Sequence, residues 1–277
     1  MMENTIDDIE IDLLLEAIYR KYHYDFRSYA GASLKRRLKL ACDHYRCDSF
    51  SALQGRVLHD TQALEGLLNY MTVQVSEMFR DPHYFKTLRE KVVPHLKTYS
   101  SLKVWIAGCS SGEEVYSLAI LFREEGLEER TIFYATDINT EALKKAEAGV
   151  YSMDRIPLFT ENHHKSGGKS SLSDYYTAAY GNAIFDKTLR KNVVFSDHSL
   201  ATDAVFAEMH LISCRNVLIY FTRELQERVF GLFQESLIRK GFLGLGAKET
   251  IRFSGHDAAF SDADKPARIY QKIGTPL

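Results

Sequence analysis

The sequence predicts an α/β protein: a doubly wound, mostly parallel sheet, preceded by an all-helical segment and interrupted by a small antiparallel insertion. Three observations predict it. From Leu102 onward, apolar runs of strand length alternate with helical stretches. Before that point, residues 9–97 carry apolar positions at helical spacing. Residues 150–195 then break the alternation with loop composition and a hairpin pattern. The expected domains are residues 1–97, helical, and 98–277, the sheet domain, with its insertion at about 150–195.

In IDLLLEAIYRKY, Ile11, Leu14, Leu15, Ile18 and Tyr22 form one helical stripe. Gly31-Ala32-Ser33 breaks the pattern, and Ser33 is the expected N-cap of SLKRRLKLACDHYR. That helix carries Lys35, Arg36, Arg37, Lys39 and Arg46 around Leu34, Leu38 and Ala41. Taken alone, such a charge run reads as a solvated face. Helical patterns follow at 50–58, 61–71 and 81–97, with Pro82 suited to a first turn. The alternating part then reads LKVWIAG, EEVYSLAILFREEG, TIFYATDI, TEALKKAEAG, NVVFSD, MHLISC, RELQERVFGLFQESLIRKG and FLGLGA. ARIYQKIG follows without a crossover helix, so an antiparallel edge strand is expected there. Within the insertion, YYTAAY and AIFDKTL are expected to form a hairpin turning on Gly181-Asn182.

The bulk properties exclude several classes. Against 37 Asp and Glu the chain has 35 Lys and Arg, a net charge of −2, so nothing draws it to nucleic acid. The start MMENTIDDIEID lacks a signal peptide's basic flank and apolar core, and no apolar run approaches the roughly 20 residues that span a bilayer. Cys42, Cys47, Cys109 and Cys214 form no disulfide framework, and Cys42, His44, Cys47 and His59 match no usual zinc spacing. A cytoplasmic, metal-free protein is expected.

In an open α/β sheet the ligand sits beyond the carboxyl ends of the strands. The first strand ends in Gly108-Cys109-Ser110-Ser111-Gly112, and the second in Asp137, placed to accept bonds from ribose hydroxyls. A capping turn over Thr136–Thr140 is the plainer explanation of that acid. Glu113 and Glu114 open the next helix. Acids at a helix N-terminus are stabilised by its dipole, yet they repel a pyrophosphate at close range. The pocket therefore favours hydroxyls and positive charge, a description that S-adenosylmethionine fits.

Five stretches in register carry a resemblance: YDFRSYAGASLKRRL, TVQVSEMFRDPHYF, VWIAGCSSGEEVYSLAI, FYATDINTEALKKAEAGVY and HLISCRNVLIYF. Together, over roughly residues 10 to 272, the chain resembles the chemotaxis receptor glutamate methyltransferases (CheR-type). The resemblance implies a Rossmann-like methyltransferase sheet with a helical N-terminal domain and an inserted three-stranded antiparallel subdomain. It also implies methyl transfer from S-adenosylmethionine to glutamates on chemoreceptor cytoplasmic helices, giving γ-glutamyl methyl esters and S-adenosylhomocysteine. By position it places Gln74, Ser76 and Arg80 over the cofactor, Gly108 beneath it, Glu113 on the methionyl ammonium and Asp137 on the ribose. Ser199 and Leu200 would border the adenine, with Arg215 and Asn216 near the reacting end. Tyr220 would stand close to the transferred methyl, with Arg80 beside it as a second catalytic residue. The family more often has Asn at Gln74, Thr at Ser76 and Asn at Ser199, and only Lys97 approaches its basic residue before the first strand.

A glutamate side chain is already an anion at neutral pH, so the resemblance implies alignment rather than base catalysis, with Arg80 and Tyr220 orienting the acceptor. It also turns Lys35, Arg36, Arg37 and Lys39 into a docking surface for a glutamate-rich receptor helix, and the inserted hairpin into a possible strand-addition site. A monomer is expected. Two other readings stay open: an N-methyltransferase, against which CRNVLIY lacks the Asp/Asn-Pro-Pro-aromatic motif, and a non-catalytic scaffold that binds S-adenosylmethionine or S-adenosylhomocysteine.

Overall fold

Thr5 caps the first helix, α1 (Ile6–Tyr22), by a reciprocal bond with Asp8. The computed structural model describes residues 5–273; the outer ends of the two expected domains, 1–4 and 274–277, lie outside the described residues. The predicted stripe of Ile11, Leu14, Leu15 and Ile18 is buried. It shares a core with α2 (Gly31–Tyr45), α3 (Phe50–His59) and α4 (Thr61–Met71), centred on Phe26, Leu38, Leu53 and Leu67. Helix α2 starts two residues before the expected Ser33 cap, after Ala30, whose side chain makes no cap bond. Long-range pairing sets this start. Tyr29 bridges Phe221, Ala30 N–H donates to the Tyr220 carbonyl at 2.8 Å, and Thr222 N–H donates to the Ser28 carbonyl at 2.9 Å.

Residues 72–81 run between the helices and the sheet. Pro82 occupies the first turn of α5 (Pro82–Thr87), which continues through one π turn (Leu88–Val92) into α6 (Val93–Leu96). Tyr84, Phe85, Leu88, Val92 and Leu96 join the core under the sheet.

The sheet is built from β1 (Leu102–Ala107), α7 (Glu113–Glu124), β2 (Thr131–Asp137) and α8 (Thr140–Ala148), followed by the insertion. The insertion holds β3 (Val150–Ser152), α9 (Ile156–Lys165), β4 (Tyr176–Ala179) and β5 (Asn182–Phe185), its three strands pairing antiparallel in the order β3-β5-β4. Tyr180 and Gly181, at φ +50° and +73°, form the turn, one residue earlier than expected, and Asn182 already belongs to β5. The chain then returns to the main sheet as β6 (Val193–Asp197), β7 (Met209–Cys214), α10 (Arg223–Ser236), β8 (Leu237–Leu245), β9 (Phe260–Asp264) and β10 (Ile269–Lys272).

The order is β6-β2-β1-β7-β8-β10-β9, with the first five parallel. β10 is antiparallel as predicted but lies inside, between β8 and β9. FSDAD forms the edge strand instead; two aspartates in five residues hide it from strand propensity. Residues 237–241, expected to end a long helix, begin β8: Leu237 pairs with Met209 before a register shift, and Lys240 takes φ +65°. A short apolar run does not by periodicity separate helix from strand.

The insertion is fastened by a buried acid at the end of α7. Glu124, 2% exposed at its side chain, pairs with Arg89 and His163. Its Oε1 also accepts from Tyr175 hydroxyl at 3.1 Å and Lys169 N–H at 3.1 Å. Burial opposes its charge, but His163 and Arg89 outweigh that and hold the carboxyl at about 2. Because the folded value lies below the unfolded carboxyl's, about 4.3, this stabilisation is complete above that pH. It is lost as pH falls toward 2. Breaking a buried ion pair costs about 3 kcal/mol, so Glu124→Gln should lower the urea midpoint by that equivalent at pH 7. Repeating the titrations from pH 5 to pH 2 should show the wild type converging on the variant.

Candidate active site

The strand order reverses between β2 and β7 on either side of β1, and a cavity opens beyond the carboxyl ends of these strands. Counting its open mouth it holds about 970 Å³, ample for a nucleoside.

The floor is the turn after β1. Gly108 and Cys109 donate N–H bonds to the Thr136 carbonyl at 2.8 and 2.9 Å, which binds the turn to the end of β2. Ser110 takes φ +50° and donates its N–H to Asp137 Oδ2 at 2.8 Å. At Gly112, φ is +90° and a Cβ would lie 2.8 Å from the Ala146 Cα, so only glycine lets α8 approach there. Asp137 is more than a cap. Asn139 caps α8, accepting from Glu141 and Ala142 N–H, while Asp137 Oδ1 accepts from Asn139 N–H at 2.9 Å. Burial raises the Asp137 pKa, and the N–H bonds from Asn139, Ser110 and Ile138 work against that rise.

Of the expected cofactor set, Gln74, Ser76 and Arg80 line the cavity from the 72–81 segment, and Gly108 and Asp137 from the strand ends. Leu200, Arg215, Asn216 and Tyr220 close the other side. Gln74 is tied in: its Oε1 accepts from Ser110 Oγ at 2.8 Å and its Nε2 donates to Thr72 Oγ1 at 2.9 Å. Asn139 Nδ2 reaches the same Thr72 oxygen at 3.0 Å.

Glu113 is not among the residues that line the cavity. It is fully buried, with Oε1 on Arg155 Nη1 at 2.6 Å and Oε2 accepting from Ser111 Oγ at 2.7 Å. Arg155 also donates to the Ser76 carbonyl, so Glu113 fastens the 72–81 segment through Arg155. Its neighbour Glu114 faces the cavity, accepting from Ser213 Oγ at 2.6 Å and from Arg215 Nη1 at 2.9 Å. Spacing alone does not tell which of two consecutive acids turns inward.

Ser199 is likewise outside the lining; its N–H donates to Asp203 Oδ2 at 2.8 Å, and His198 and Leu200 face the cavity on either side. Arg215 lines the cavity, yet it spends Nη1 and Nη2 on the protein, on Glu114, the Arg80 carbonyl at 2.7 Å and Asp81 at 2.8 Å, while its buried Nε has no partner; its guanidinium lies 4.2 Å from the Tyr84 ring. It braces the 72–81 segment. Arg80 itself has one long side-chain bond, 3.4 Å to the Val75 carbonyl, and the Tyr220 hydroxyl has none among the described residues. Both face the cavity with free polar groups.

The expected docking residues divide. Arg36 and Lys39 are exposed, and Lys35 is paired with Asp7 and Asp8. Arg37 is 7% exposed and lines the cavity, 5.4 Å from the Tyr220 ring, with Nε on the Ser33 carbonyl and Nη1 on the Met71 carbonyl. Its place one turn beyond Ser33, on the same face as Leu34 and Leu38, was the signal that it points inward. Nothing in the sequence marks His198 or Tyr29 as wall residues.

The residues present fit S-adenosylmethionine. The Asp137 carboxylate accepts from main-chain N–H groups on both oxygens and retains lone-pair capacity for ribose hydroxyls. The N-terminus of α7, where a phosphate would bind, carries two glutamates instead. Leu200, Val217 and Ile138 supply apolar surface for a base.

Comparison with known proteins agrees. Residues 74–269 match the family described as CheR methyltransferase, SAM binding domain, and residues 9–72 match CheR methyltransferase, all-alpha domain. The chain is 59% identical over 265 residues to "Putative methyltransferase Cher3" of Pseudomonas putida, covering 96% of this chain and 97% of that one. It is 32% identical to a "Chemotaxis protein methyltransferase" of Listeria monocytogenes (89% of this chain, 92% of that one). A "Chemotaxis protein methyltransferase 2" of Pseudomonas aeruginosa is 28% identical (88% and 82%). The chain belongs to the CheR methyltransferase family and takes S-adenosylmethionine as its cofactor.

Proposed function

We propose that this protein methylates glutamate side chains on the cytoplasmic helices of chemoreceptors, forming γ-glutamyl methyl esters. One observation carries the reading: Asp137 from the end of β2 and Glu114 from the first turn of α7 line a single cavity together with an Arg80 guanidinium and a Tyr220 hydroxyl that have almost no protein partners. The names of the relatives, chemotaxis methyltransferases among them, support the same reading.

Bound S-adenosylmethionine would supply an electrophilic methyl group on a sulfonium. Asp137 would hold its ribose and Glu114 its ammonium, with Gln74, Ser76, Gly108, Leu200 and Asn216 around it. The acceptor glutamate arrives as a carboxylate, so no proton has to be moved. Arg80 would draw the carboxylate in by charge, Tyr220 would fix one oxygen by a hydrogen bond, and Arg37 behind Tyr220 keeps that end of the cavity positive. A strong clamp would damp the nucleophile, so positioning is the task of both groups. Exposed Arg36 and Lys39, on the helix that brings in Arg37, offer complementary charge to a glutamate-rich helix. No helix among the described residues is long and apolar enough to cross a membrane.

With tritiated cofactor and receptor-bearing membranes, base-labile label should appear on receptor. Cofactor binding without transfer would favour a scaffold, and base-stable label would favour N-methylation. Tyr220→Phe and Arg80→Gln should each lower kcat about 10- to 100-fold, as misplaced reactants do, while calorimetry finds S-adenosylhomocysteine affinity within about three-fold of wild type.

Asp137→Asn should act on the other half of the site. Losing a charged acceptor beneath the ribose costs about 1.5–3 kcal/mol, so S-adenosylhomocysteine affinity should fall roughly 10- to 100-fold in the same calorimetry. An unchanged affinity would remove Asp137 from the cofactor site.

A further inference from the structure

Arg215, Asn216 and Tyr220 all lie on one turn, residues 215–221, whose only regular structure is a single 3-10 turn over Leu218–Tyr220. Asn216 sits at φ +61°, in the left-handed region that asparagine tolerates better than most residues, and the turn around it is held from outside. Chief among the surroundings that hold it is one side chain. Glu249, 4% exposed in the loop after β8, receives the Asn216 N–H on Oε2 at 2.9 Å and the Leu218 and Ile219 N–H groups on Oε1 at 2.8 and 3.4 Å. Its own loop adds a fourth bond, from Gly246 N–H to Oε2 at 2.6 Å. On the far side Gln226 Nε2 donates to the Leu218 and Phe221 carbonyls. No other side chain among the described residues accepts from N–H groups 216–219.

A buried carboxylate is tolerated only when donors replace its lost water. Four main-chain N–H groups do so here, and in return they are fixed in space. The apolar alternative would leave three of them unpaired in a turn that must stay open toward a ligand.

We propose that Glu249 is a positioning residue for methyl transfer: its carboxylate imposes the backbone form of residues 216–219 that presents Asn216 and the Tyr220 hydroxyl to the cavity. The proposal rests on the reading that this turn faces cofactor and acceptor. Glu249 itself touches neither.

The test uses the full chain, tritiated cofactor and receptor-bearing membranes, with melting temperature and S-adenosylhomocysteine affinity measured alongside. Glu249→Gln keeps the shape but sets an amide N–H₂ against main-chain N–H donors. It should lower kcat about 10- to 100-fold, with S-adenosylhomocysteine affinity changed less than about five-fold, since Asp137, Gly108 and Leu200 lie on other elements. Because Glu249 acts through Tyr220, the double variant with Tyr220→Phe should be no more than about three-fold slower than Glu249→Gln alone. Hydrogen exchange at the Leu218 and Ile219 amides should rise at the same time.

If Glu249→Gln does not fold, Gly246→Ala serves. Its Cβ would lie 2.7 Å from Glu249 Oε2 and 2.8 Å from Asn216 N, prising the two apart with the charge intact, and φ there is not left-handed. The same loss of kcat is expected. A Glu249 or Gly246 variant within two-fold of wild-type kcat, or losses that multiply with Tyr220→Phe, would overturn the proposal. A wild-type chain that labels no receptor, or a fully active Tyr220→Phe, would instead sink the reading of the acceptor site.

Discussion

The turn after β1 is held to the end of β2 by one carboxylate. Asp137 accepts Ser110 N–H on one oxygen and Asn139 N–H on the other, almost out of reach of water. From these two bonds a closed ring follows: Ser110 Oγ to Gln74, Gln74 to Thr72, Asn139 back to Thr72, and Asn139 N–H to Asp137. The ring passes through the strand ends and through the segment that leaves the helical part of the chain. A buried acid is expensive unless donors surround it, so the acid dictates where those donors stand. The cavity floor and one of its walls are consequences of that demand.

Charge is sorted along the cavity by the same logic. Glu113 and Glu114 fill the positive end of α7 and leave no room for a phosphate there. Glu113 is spent on Arg155, and Arg215 is spent on Glu114 and Asp81. The other charged groups lining the cavity are Asp137 at the end of β2, Arg80 with its one long bond, and Arg37, 5.4 Å from the Tyr220 ring. On the proposed reading, a cation-bearing nucleoside would meet the acids and an anionic acceptor the arginines of one cavity. Ordinary Coulomb attraction is strengthened where water is excluded, and such preorganised charge needs no rearrangement at the moment of reaction.

The sheet was legible because its strands are buried runs separated by amphipathic helices, a pattern that period and length alone reveal. The edge strand FSDAD was not, since its pairing is decided by β10 and by the basic residues around Asp262 and Asp264, Lys91 and Arg252 among them. The same division runs through the site. Asp137 and Gly108 follow from their place at strand ends. Glu114 rather than Glu113, His198 rather than Ser199, and an inward Arg37 depend on rotation about a helix or turn, where a shift of one residue swings a helical side chain by about 100°. Glu249 gave no signal at all, because its partners are main-chain N–H groups some 30 residues away, and any sequence supplies those.

The turn 215–221 is, besides the Asn139 bond to Asn69 of α4, one of the places where the helical part of the chain is tied to this sheet. It is too short to hold a shape of its own, and three remote pieces of chain share the work: Glu249 below, Gln226 behind, and residues 28–30 on the open side, where Ala30 N–H meets the Tyr220 carbonyl. Ala30 is also the residue from which α2 departs, so the pairing that fixes Tyr220 fixes the start of the helix carrying Arg36, Arg37 and Lys39. A receptor helix that settles on Arg36 and Lys39 would be placed relative to the Tyr220 hydroxyl by a single main-chain bridge, with no flexible joint between. Docking and chemistry would then share one reference frame, and alignment of a bulky protein substrate to within an ångström needs such a frame more than it needs a strong grip on the carboxylate.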